Sequence, residues 1–143
     1  MLSSFSRGLT FLMAALYAVL GAALFFMPGR LAPAFAWKVS PFVTMTIGGW
    51  CLGNAWLAWI SARRWHWGLV YSALVYLWLF GLLEAAVVFA FRGRLALGHP
   101  IALLYLGTLA ANLLAALVGI VDWLRLRPAR SSSGVRATAI QRL

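Results

Sequence analysis

Residues 67–91 read WGLVYSALVYLWLFGLLEAAVVFAF, an apolar stretch with one charged side chain, Glu84. About twenty such residues in a helix cover a hydrocarbon core of about 30 Å. The stretch lacks the strict alternation of a barrel strand, and its Ala and Leu content favours a helix. Three more runs of this kind surround it, at about 9–27, 42–62 and 101–124. The chain as a whole is 64% hydrophobic and 10% charged, with a mean hydropathy of +0.92. A soluble domain is about half apolar and about a quarter charged. A chain this small cannot hide so much apolar surface in a water-facing fold. The predicted fold is all-α: an integral membrane four-helix bundle with antiparallel up-down topology over residues 1–127, followed by a tail at 128–143.

The first run resembles a secretory signal, with Arg7 ahead of it and AFA at 34–36. It is longer than the 7–15 apolar residues, roughly, of a signal core, so it is expected to stay as a membrane helix. Cys51 is the one cysteine, which excludes an internal disulfide and a CxxC pair. The net charge of +10 does not point to nucleic acid, because the cations flank the apolar runs. Arg7, Arg63, Arg64, Arg125, Arg127, Arg130, Arg136 and Arg142 fall on one side of the expected bundle. Arg30, Lys38, Arg92 and Arg94 fall on the other. This bias predicts a multi-pass protein of the plasma (inner) membrane with both termini cytoplasmic. Length and hydropathy resemble those of small bacterial four-helix membrane proteins, and no motif carries residue roles over from that resemblance.

The loops carry their own signals. SARRWHW at 61–67 is short enough to force a hairpin between the second and third helices. Pro28, Pro33 and Pro41 break the first loop, whose Leu31, Phe35 and Trp37 are expected in the headgroup layer. Pro100 suits the first turn of the last helix. Trp37, Trp59, Trp65, Trp67 and Trp123 sit near the expected boundaries as an aromatic belt. The basic, Ser-rich tail reads as disordered and attractive to anionic lipid headgroups.

In lipid, small residues mark where helices approach. Gly107, Ala111, Ala115 and Gly119 recur on the last helix, Ala14, Ala18 and Ala22 on the first, and Gly49 and Gly53 form a GxxxG on the second. Polar residues lie near these stripes: Tyr105, Thr108 and Asn112 on the last helix, and Thr46, Trp50 and Asn54 on the second. They are expected to face a partly polar interior, since an unpaired amide in hydrocarbon costs several kcal/mol, roughly.

Glu84 lies about five residues past the centre of its helix, roughly 8 Å toward the outer face. A charged carboxylate there costs at least a few kcal/mol, roughly, so the acid form is expected. Two readings stand side by side. Glu84 is an interhelical clamp to Thr108, Asn112 or a main-chain carbonyl, or it is a proton-titrating or ligand-binding group within a cluster of Glu84, Thr108, Asn112, Tyr105, Trp50 and Asn54. Asp122 is read as structural, paired with Arg125, Arg63 or Arg64 because a helix C-terminus disfavours an anion.

Catalytic chemistry finds little support. His66 and His99 fall in loops on opposite faces, so they cannot share a metal, and neither sits beside a serine nucleophile. The two carboxylates lie at different depths. No catalytic residue, metal or cofactor is therefore assigned. The first expectation is a non-enzymatic packing or accessory subunit of a membrane assembly, either a homo-oligomer or a larger complex in the lipid bilayer. The alternative is a small transporter or binder of a lipophilic or protonated ligand at the Glu84 cluster.

Overall fold

The computed structural model describes residues 2–126; Met1 and the chain from residue 127 on, with the basic tail and Arg127, Arg130, Arg136 and Arg142, lie outside the described residues. Those described form helices and turns, with no strand among them. α1 is Ser4–Phe26, α2 the short Pro28–Leu31, α3 Pro41–Arg63, α4 Trp67–Ala90 and α5 Pro100–Leu126. Single 3-10 turns follow α2 and α4, at Ala32–Ala34 and Arg92–Arg94.

Local chemistry sets the ends. α1 begins ahead of its apolar run, because the Ser3 hydroxyl accepts from the Ser6 amide at 3.2 Å and caps the first turn. It stops at Met27, the residue before Pro28, where a proline disfavours helical backbone. Ser40 caps α3 in the same way, accepting from the Val43 amide at 3.3 Å, with Pro41 in the first turn.

Three helices, α1, α4 and α5, are long and apolar enough to cross a membrane. α3 matches α1 in length but not in hydropathy. Its Thr44, Thr46, Gly48, Gly49, Trp50, Gly53 and Asn54 dilute the apolar residues. The surface is nonetheless rich in large apolar side chains: Phe26, Phe42, Trp56 and Phe89 are each about two-thirds exposed or more.

Of the four long helices, α1 meets α3 most extensively and α5 next. α4 leans on α5, and the α3–α4 contact is thin. Neighbours run in opposite directions. Phe25 of α1 lies against Gly48 near the start of α3, and Arg7 reaches Ala62 near its end. Ser3 meets Asp122, and Tyr17 meets Asn112.

The small-residue stripes act in part at the expected positions, where Ala14, Ala111 and Ala115 are buried, and in part at others. A Cβ at Gly48 would lie 2.5 Å from the Phe25 backbone nitrogen, and one at Gly21 would lie 2.9 Å from that of Leu52. Gly21 and Gly48 therefore set the α1–α3 approach, whereas Gly53 of the GxxxG faces open space, as does Gly107. On α5 the stripe packs closest toward its C-terminal end, where Gly119 receives the Trp78 ring. Helix rotation decides which glycine meets a neighbour, and spacing alone does not carry it.

The aromatic residues also depart from a simple belt. Trp65 and Trp67 are buried, and Trp67 stacks on Trp78 and Trp123 at 6.3 and 6.2 Å between ring centres. Trp50, expected to face the bundle interior, is 62% exposed on the flank of α3. Phe35 is not at the headgroup surface. It is buried as a plug over the end of the bundle, against Trp37 and Tyr105. An apolar loop residue gains more by sealing that end than by lying against polar headgroups.

Candidate functional site

The thin α3–α4 contact leaves a lateral cleft of about 390 Å³. Ile47, Trp50 and Cys51 of α3 form one wall, and Leu83, Glu84 and Val87 of α4 form the other. Side chains larger than glycine line both walls here, in contrast to the glycines of the α1–α3 seam. Tyr105 of α5 and Trp37 of the first loop complete the lining. Tyr105 is fixed edge-on to both Phe35 and Trp37, with ring centres 5.4 and 5.2 Å away.

Glu84 is half-buried in this cleft, and among the described residues no hydrogen bond engages its carboxyl. Its apolar surroundings would strengthen any hydrogen bond it made to an incoming polar group. A dry clamp to Thr108 is not present. The Thr108 hydroxyl donates to the Leu104 carbonyl of its own helix at 2.8 Å. Asn112 donates through Nδ2 to the Tyr17 hydroxyl at 2.8 Å. The interhelical polar clamp of this protein therefore joins α5 to α1.

The six expected site residues thus separate. Glu84, Trp50 and Tyr105 line one cleft. Thr108 and Asn112 are fully buried elsewhere in the core, and Gly81 packs directly on Asn112. Asn54 is buried on α3, with its Nδ2 lacking a hydrogen-bond partner, as does Oδ1 of Asn112. Depth along the helices is readable from residue counting. The α4 face that Glu84 occupies, and the α5 face that Thr108 occupies, depend on how the helices are turned. Sequence reasoning missed Trp37, Cys51 and Leu83 as cleft residues. Trp37 lies in a loop whose inward fold no local pattern announces.

Asp122 differs from expectation. Its Oδ2 accepts from the Ser3 amide at 3.1 Å, from the Ser6 hydroxyl at 2.5 Å and from the Ser3 hydroxyl. The carboxylate sits at the end of α5, where its own helix disfavours it, and at the start of α1, where unpaired amides welcome it. The second effect satisfies the group, the nearby Arg125 charge also favours the anion as expected, and among the described residues no arginine pairs with it directly. Around it, Arg7 Nε donates to the Ala62 carbonyl at 2.8 Å, and Trp65 Nε1 donates to the Leu2 carbonyl at 3.2 Å. This end of the molecule is laced by polar contacts.

The cleft offers one carboxyl, one phenol and one thiol among apolar walls. That inventory suits recognition of a polar group on an otherwise lipophilic molecule. His66 and His99 are exposed in different loops, and among the described residues no three His, Cys, Asp or Glu side chains gather as a metal site. Comparison with protein-family models, curated proteins and solved structures gives no match for this chain.

Proposed function

We propose that this is a non-enzymatic integral membrane protein that takes up a lipophilic ligand sideways from the bilayer, through the cleft between α3 and α4. In this reading α3 crosses the membrane with α1, α4 and α5, sheltered by its contact with α1. Both termini face the cytoplasm of the plasma (inner) membrane, a placement supported by the excess of arginines at that end. The observation that carries the proposal is Glu84: a carboxyl with no hydrogen-bond partner among the described residues, facing a lateral cleft of about 390 Å³. An ionisable group at membrane depth is costly, and a site for a polar ligand group gives that cost a use.

The test is native mass spectrometry of protein released from its own membranes in mild detergent. Wild type is expected to carry a bound small lipophile. Leu83→Trp, which fills the cleft from an exposed position, should lose it. Glu84→Gln should reduce occupancy at least several-fold. Equal occupancy in all three proteins would defeat the proposal.

A second reading, as a packing or accessory subunit, is favoured by one feature. An apolar groove of about 350 Å³ runs between α1 and α3, floored by Ala14, Ala18 and Ala55 and flanked by Trp56 and Trp59. Its small-residue floor would allow close approach of another helix. Crosslinking from a Trp56→Cys variant in membranes would give a discrete adduct on this reading, and a solitary monomer counts against it.

A further inference from the structure

Resting on the ligand-binding reading above, we infer that the ligand is a membrane lipid with an anionic phosphodiester headgroup, held by Lys38 and Arg94. The Glu84 cleft does not end at Val87. A second hollow, also about 390 Å³, shares Trp37 and Val87 with it and continues toward the end of α4. Its walls are Val88, Phe91 and Leu95, and its rim carries Lys38 and Arg94.

Two loops bring those cations together. The Ala96 amide donates to the Ala36 carbonyl at 2.7 Å, stitching the segment after α4 to the segment before α3. Arg92 is turned away, lying over the Phe89 ring at 4.8 Å. Among the described residues no counter-ion lies near the pair. The chain has two acidic side chains: Asp122 is engaged by Ser3 and Ser6 at the opposite end of the helices, and Glu84 lies deep in the cleft.

The dimensions favour a lipid over a free anion. The two hollows follow α4 from Phe80, near the helix middle, to the helix end at Ala90, ten residues further. At a helical rise of about 1.5 Å this is roughly 15 Å, half of a hydrocarbon core of about 30 Å. The trough is therefore one leaflet deep, cationic at the level of headgroups, with the Glu84 carboxyl available to the ester region of a lipid and otherwise apolar walls along the path of an acyl chain. A soluble phosphate would use the rim and none of the wall. Two cations without side-chain partners among the described residues complement a single anionic phosphodiester.

The test titrates the full-length protein in mild detergent with phosphatidylglycerol and, separately, phosphatidylcholine of the same acyl chains, reading occupancy by native mass spectrometry. Phosphatidylglycerol should bind at least tenfold more tightly. The double variant Lys38→Gln/Arg94→Gln should lower it to the phosphatidylcholine level and leave phosphatidylcholine unchanged. Arg30→Gln/Arg92→Gln removes equal charge at the same end and should change binding less than twofold. Equal binding of the two lipids to wild type, or equal loss in both double variants, overturns the headgroup assignment. Leu83→Trp separates this from the cleft itself: it should weaken both lipids, and if it weakens neither, the ligand-binding reading falls as well.

Discussion

The two sides of α3 are built on opposite principles. Toward α1 it presents Gly48, and the backbones approach until a single added carbon would strike the Phe25 nitrogen. Toward α4 it presents Ile47, Trp50 and Cys51, which meet Leu83, Glu84 and Val87 across a cleft. Without a hydrophobic drive between helices in lipid, packing and hydrogen bonds hold a seam together. The α1–α3 seam has the packing, and the α1–α5 seam adds the Tyr17–Asn112 and Ser3–Asp122 hydrogen bonds. The α3–α4 seam is tied by a short loop at one end and little else. α1 is thus the sealed hub, and the face across from it is where the molecule opens.

Substitutions can break this contrast, and they rank by how tightly each site is held. Gly48→Ala should be the most damaging, because its Cβ would meet backbone and not a flexible side chain. A loss of about 3 kcal/mol, the upper end of overpacking penalties, is expected as a lowered unfolding temperature in detergent. An unfolding temperature like that of wild type would remove the α1–α3 seam as the anchor of the fold. Asp122→Ala comes next. It leaves the Ser3 amide and the Ser3 and Ser6 hydroxyls without their acceptor, at about 1–2 kcal/mol. Hydrogen exchange should rise in the first turn of α1 and not at its far end.

Tyr17→Phe removes one interhelical hydrogen bond and keeps the ring. Such bonds in membrane proteins average about 0.6 kcal/mol, and a loss of about 1 kcal/mol is expected here because Asn112 would have neither end paired. A double-mutant cycle with Asn112→Ala would show the coupling, and additive effects would dismiss the clamp. Leu83→Ala is the smallest. The side chain is 60% exposed on the open seam, so stability should change by no more than about 0.5 kcal/mol. A larger loss would show that the α3–α4 side is sealed after all.

Much of this architecture is legible in the amino-acid sequence. Residues 67–91 announce a membrane-length helix by composition alone, and α1 and α5 do the same. The depth of Glu84 follows from counting, and so does the level of Tyr105. The partners do not. Thr108 and Asn112 stand on the right helix at a sensible depth, yet one bonds its own backbone and the other reaches α1. Charge pairing is readable from sequence and points Asp122 to nearby arginines, whereas the arrival of the α1 N-terminus is not readable there. Phe35 and Trp37 have the composition of membrane-surface residues, and a loop that folds inward leaves no periodic signature.

Amphipathic depth, helix length and the breaking points at Pro28 and Pro41 are one-dimensional properties, set by each residue's own preference for lipid, helix or turn. Sequence by itself determined those. Which glycine becomes a seam, which carboxyl gains a cap and which is left facing a cleft are rotational properties of one helix against another. A rotation of about 100° per residue makes neighbouring side chains point to different helices. Only the packed tertiary structure, by bringing α1 hard against α3 and leaving α4 apart from it, decided them.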